Sequence, residues 1–162
     1  MSDDGGSRRR SPRRGSAHRI SISVSAEGTR VPLARARVAA LAEGVLRAER
    51  VRDAEVSITF LDARRMAALN RRHLEHRGPT DVITFELTRV PAGPITGDVY
   101  ICPAVTTANA RAHGVSVREE LARVVVHAML HVLGHEHPED ESRYGSAMWR
   151  RQERLLRLLG AA

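Results

Sequence analysis

His127-Ala128-Met129-Leu130-His131-Val132-Leu133-Gly134-His135-Glu136-His137 is the stretch on which the reading of this chain turns. His127 and His131 lie four residues apart, so on an α-helix both imidazoles share one face, a turn apart. Gly134 supplies the left-handed backbone that ends a helix. The chain can turn back there and bring His137 from a loop to the same point. Four of the chain's eight histidines fall within these eleven residues. The neighbours Val124-Val125-Val126, Leu130, Val132 and Leu133 are apolar, so the helix is expected to be mostly buried. Buried imidazoles on one face need partners. One metal ion shared by His127, His131 and His137 would satisfy all three. Three neutral imidazoles leave a fourth position on zinc open to a water, as catalytic zinc sites do and closed structural ones do not. The plain alternative is a set of ordinary histidines, exposed or hydrogen-bonded in a core. Spacing and setting together favour the metal.

The same offsets occur in H-E-x-x-H-x-x-G-x-x-H, the metzincin protease motif, where the Glu after the first ligand is the general base. Here that place is Ala128. A methyl group takes no proton, so the expectation is a zincin-like His-metal helix without the residue a peptidase needs.

At 162 residues and 42% apolar content, the chain is expected to form a single domain with a real core. It has two Phe, two Tyr and one Trp, so aliphatic side chains must fill that core. The lone Cys102 cannot form an internal disulfide, which suits a reducing cytosol. No apolar run approaches membrane-spanning length. The net charge is +7, and all 26 basic residues are Arg, against 19 acidic ones. Guanidinium groups bind phosphate in a bidentate fork and stack on bases, so a nucleic acid is a fitting partner. The same charge also fits mere solubility.

Residues 1–19 read as an Arg-rich tail, with six Arg against two Asp and almost nothing apolar to bury. The ordered domain is expected over 20–162. Ile20 to Val24 alternates like a half-buried strand, and Glu55 to Phe60, Val82 to Leu87 and Asp98 to Cys102 read as three more. Helices are expected from Leu33 to Glu49 after Pro32, from Asp62 to Arg72, and from Pro103 to Gly114. Ser116 and Glu119 form a capping box that opens the His helix, which runs to Leu133. Asp140 is expected to cap a last helix to Leu159, with Met148, Leu155, Leu156 and Leu159 inward. His73 to Thr80, ending in Gly78-Pro79, reads as a loop. The sum is a small α+β domain, a mixed sheet of about four strands packed with about five helices. Strand order is not legible from this.

Several stretches together resemble the YbeY family of bacterial metal-dependent endoribonucleases, the ribosomal RNA maturation factors. HAMLHVLGHEH is similar to the family's H-G-x-L-H-L-x-G-Y-D-H. The segment Leu69 to Phe85 resembles L-N-x-x-Y-R-x-x-D-x-P-T-D-V-L-S-F, and Gly97-Asp98-Val99-Tyr100-Ile101 its G-D-I-x-I strand. Glu119-Glu120-Leu121, Met148 and Gln152-Glu153 also fit. The likeness extends from about Ile20 onward. It implies one α+β domain, one zinc on His127, His131 and His137, and hydrolysis of single-stranded RNA. The implied setting is ribosomal RNA maturation and ribosome quality control in the cytoplasm, with ribosomal RNA or the small ribosomal subunit as partner.

Three departures from the family stand out. Its Tyr-Arg pair is His73-Leu74 here, so Arg71, Arg72 and Arg77 become the candidates for binding substrate phosphate. Its Tyr-Asp before the last ligand is His135-Glu136, either of which could orient a ligand or shuttle a proton. Its Gly after the first ligand is Ala128. Thr80 and Asp81 are expected to hold the loop. Two rivals remain at this point: a zinc metallopeptidase lacking the usual Glu, and a non-catalytic RNA-binding ribosome-assembly factor whose zinc only stabilises the fold, a reading that a fourth protein ligand such as His135 or Glu136 would favour.

Overall fold

Alternation builds the sheet. In the computed structural model, which describes residues 19–73, 77–86, 93–138 and 140–161, β1 spans Arg19–Glu27 and β2 spans Asp53–Leu61. β3 is Val82–Glu86 and β4 is Ile95–Ile101. On β2, Ala54, Val56, Ile58 and Phe60 are buried, while Ser57 and Thr59 point to the other face. That other face carries polar pairs: Ser57 Oγ donates to Asp98 Oδ1 at 2.5 Å, and Ser25 and Thr59 hydroxyls pair at 3.1 Å. The strand order is β1-β2-β4-β3, with β1, β2 and β4 parallel and β3 antiparallel to β4.

Five α-helices form, the first four close to the expected positions: α1 Arg35–Ala48, α2 Ala63–His73, α3 Pro103–His113, α4 Val117–Val132 and α5 Ala147–Leu158. The apolar positions Val38, Leu41, Ala42, Val45 and Leu46 of α1 are buried, at the spacing of one helical face. α4 is the centre of the molecule. It packs against α1, α3, α5, β3 and β4, and ten of its sixteen residues are buried. Such a helix needs little amphipathicity, because most of its surface faces protein. Gly97 shows how closely β4 meets α4: a Cβ there would lie 2.9 Å from a Val132 methyl. A smaller cluster of Leu61, Met66, Ile83 and Cys102 lies beside the main core.

The capping box opens α4 as expected. Glu119 N donates to Ser116 Oγ at 3.2 Å and Ser116 N to a Glu119 carboxylate oxygen at 2.9 Å. Asp62 likewise accepts from Arg65 N at 2.8 Å at the start of α2. The last helix differs from expectation. Asp140 accepts from Ser142 N and caps only a short 3-10 turn, Glu141–Gly145. Ser146, with extended backbone, then caps α5 through Trp149 N at 3.1 Å. Two cap residues six apart thus split what the pattern alone reads as one helix. β4 begins at Ile95 rather than Asp98, and Cys102 caps α3 instead of ending the strand. The Arg-rich tail lies outside the described residues except for Arg19, which opens β1; so do Leu74 and Leu87. Among the described residues, no helix is long and apolar enough to cross a membrane.

Candidate metal centre and its cleft

α4 presents His127 and His131 one turn apart, with ring centroids separated by 4.6 Å. Gly134 takes φ 82°, a left-handed value that costs glycine little. There Gly134 N donates to His131 O at 2.8 Å and His135 N to Leu130 O at 3.0 Å. This is the paired bonding of a Schellman cap. The reversal returns His137 to within 5.0 and 5.1 Å of the other two rings. The three histidines offer nitrogens that all lie within 4.8 Å of one another. Among the described residues no His, Cys, Asp or Glu joins them as a fourth.

The hydrogen bonds behind the rings fix which nitrogen faces inward. Gln152, buried on α5, donates its amide to Glu153 Oε1 at 3.3 Å, so its carbonyl oxygen faces His127. His127 Nδ1–H donates to that oxygen at 2.8 Å. His137 Nδ1–H donates to the Pro138 carbonyl at 2.7 Å. A neutral imidazole with its proton on Nδ1 carries a bare lone pair on Nε2. The Nε2 atoms of His127 and His137 are 3.4 Å apart, and that of His131 lies 3.1 Å from His127. Two lone pairs converging at that distance do not bond each other, whereas a cation held between them answers both. Protonation is also opposed. Burial, then the neighbouring His127 and His137 rings, push the His131 imidazole down to about 4. Burial lowers His127 too, against the Gln152 hydrogen bond that raises it. The donor set therefore fits a divalent metal that accepts neutral imidazole.

A cleft of about 370 Å³ opens beside His127 and His137. Asp81 lines it after the loop, accepting from Val82 N at 2.9 Å and from the Thr80 hydroxyl at 3.1 Å, the loop-holding arrangement expected. Asn70, buried at the end of α2, donates to Gly78 O at 2.9 Å and steadies the same loop. Farther along the cleft, buried Glu120 faces His113 at 3.3 Å and Arg123 at 3.7 Å. Its Oε2 has no hydrogen-bond partner among the described residues. Arg123 is also held by Glu153 at 2.6 Å, so two carboxylates surround it. Arg143, Tyr144 and Trp149 also line it.

Arg71, Arg72 and Arg77 are exposed at the end of α2 and the start of the loop, and the cleft is not lined by them. Its arginines are Arg123 and Arg143 instead. His135 turns away from the triad toward Glu49, at 3.7 Å, which also binds Arg151 at 2.6 Å. Glu136 is exposed. The ligand-orienting role falls to Gln152, a polar residue between Met148 and Leu156 on the apolar stripe of α5. Its place on that stripe was the available signal. Nothing in the sequence marked Arg143 or Tyr144.

The sequence profile of the family described as endoribonuclease YbeY matches residues 23–160. The chain is 40% identical over 147 residues to the endoribonuclease YbeY of Beutenbergia cavernae, covering 85% of this chain and 95% of that protein. With the endoribonuclease YbeY of Thermobifida fusca it shares 39% identity over 134 residues, 76% and 86% of the two chains. The solution structure of TM1509 from Thermotoga maritima matches with a TM-score of 0.58 at 25% identity, covering 85% of this chain and 88% of that one. Profile, relatives and fold thus coincide over nearly all of the described residues, and the chain belongs to the endoribonuclease YbeY family.

Proposed function

We propose that this chain is a zinc-dependent, single-strand-specific endoribonuclease that acts in ribosomal RNA maturation and ribosome quality control in the cytoplasm. The observation that carries the reading is the convergence of the His127 and His137 Nε2 lone pairs beside an open cleft. His127, His131 and His137 would hold one zinc per chain, which when bound supplies Lewis-acid polarisation of a phosphoryl oxygen. Gln152 keeps the His127 ring turned inward, and the Pro138 carbonyl does the same for His137. Arg143, which meets no carboxylate among the described residues, offers a charge to the phosphodiester from the cleft wall. Arg71, Arg72 and Arg77 are outer contacts to the RNA backbone, near the loop that leads to Asp81. Family membership supports RNA as the substrate.

The peptidase reading has little to rest on. Ala128 is 1% exposed and carries no proton acceptor. A fourth protein ligand would favour the assembly-factor reading, and among the described residues neither His135 nor Glu136 is placed as one.

The test is cleavage of end-labelled single-stranded RNA by pure protein, with and without chelator, beside His127→Ala protein purified in parallel. Cleavage is expected only from the wild-type chain without chelator, together with about one zinc per chain that His131→Ala loses. Equal cleavage by His127→Ala, or no transition metal in the wild type, would overturn the proposal.

A further inference from the structure

Tyr144 is 48% exposed in a chain with only two Phe, two Tyr and one Trp. It sits in the turn between the His137 loop and α5, on the wall of the same cleft that reaches His127 and His137. Its surroundings hold the ring in place. Trp149 meets it edge to face, with centroids 4.9 Å apart and planes at 81°. The Arg143 guanidinium lies 4.9 Å from the ring centroid and donates to the Tyr144 hydroxyl at 2.9 Å. An exposed aromatic ring braced by another ring and a cation has a surface suited to a flat, electron-poor partner. The charge beside it favours an anion. A nucleotide carries both features, and the cleft volume of about 370 Å³ sits at the small end of ligand pockets. The acidic side, where Glu120 and Glu153 enclose Arg123, disfavours phosphate there and directs it toward Arg143.

We propose that Tyr144, braced by Arg143 and Trp149, is a base-stacking subsite for a nucleotide adjoining the phosphate at the His127–His131–His137 centre. The inference rests on the RNA reading and specifies how the strand is held. A duplex hides the faces of its bases, whereas a single strand can turn one outward onto an aromatic ring. The subsite therefore selects single strands by stacking, with little regard to base identity.

Binding of a single-stranded 2′-O-methyl octanucleotide to the purified full chain tests this apart from cleavage. The readouts are anisotropy of a labelled strand and fluorescence of Trp149, the chain's one tryptophan. Tyr144→Ala should weaken binding roughly 5- to 150-fold, the range for losing one base–aromatic stack. It should also abolish quenching of Trp149. Tyr144→Phe keeps the ring and should bind within about twofold of wild type with quenching intact, since stacking needs the π-face and not the hydroxyl. An abasic strand with the same phosphates should bind the wild type as weakly as the normal strand binds Tyr144→Ala. Equal binding by Tyr144→Ala, or by the abasic strand, overturns the subsite. Stacking without any RNA cleavage would overturn the catalytic reading and leave the subsite standing. Cleavage unaffected by Tyr144→Ala, with unchanged binding, would do the reverse.

Discussion

Gln152 shows what a single side chain contributes here. It is 1% exposed, and its carbonyl fixes the tautomer of His127. Outer partners of this kind set ring orientation and ligand basicity. Replacing Gln152 by Leu should lower zinc affinity about 10- to 100-fold, read by competition with a chromophoric chelator. Gln152→Glu, which retains an acceptor, should keep most of that affinity. The three histidines themselves were legible because their spacing of four, then six across a glycine, is a local matter. Gln152 is 25 residues from His127, and no local pattern joins them.

At the scale of elements, two termini of α4 carry the site. The capping box at its start satisfies orphan backbone donors. Ser116→Ala should cost about 1 kcal/mol, or roughly 2–4 °C in Tm for a chain of this size. That loss should depend on pH in a defined direction. The Ser116 side-chain and backbone hydrogen bonds hold the Glu119 carboxyl below its ordinary value of 4.5. A depressed carboxylate adds stability that is complete above its unfolded value and fades as pH falls through the folded one. The gap between wild type and Ser116→Ala in thermal melts should therefore narrow below about pH 4.5. At the other end, Gly134→Ala places a Cβ at φ 82°. A destabilisation of about 1 kcal/mol or more is expected, with weaker metal binding because His137 is aimed by that turn. Isothermal titration with zinc would show the second effect. The start and stop signals of α4 were both readable, since caps are local chemistry. The last helix was misread because Asp140 and Ser146 are both good caps, and only the 3-10 turn between them decides which one opens α5.

The whole molecule is held by α4 pressed between the sheet and the other helices. Gly97 makes room for Val132 where β4 passes under it. Gly97→Ala should destabilise by about 1–3 kcal/mol through overpacking. Val132→Ala, which opens the same space, should cost less in the Gly97→Ala background than alone, and a double-mutant cycle by urea unfolding measures that coupling. Zinc would tie α4 to the loop after it, so it should raise Tm in a concentration-dependent way that chelator reverses and His131→Ala abolishes.

Local sequence determined the helix that carries His127 and His131, its caps, the turn at Gly134 and the alternation of each strand. Those follow from backbone geometry and hydrogen bonding over a few residues. The strand order, the pairing of Gln152 with His127, the turning of His135 toward Glu49 and the union of Tyr144 with His127 and His137 in one cleft were decided by the tertiary structure. Each joins segments distant along the chain, and their meeting depends on how helices and sheet share one core.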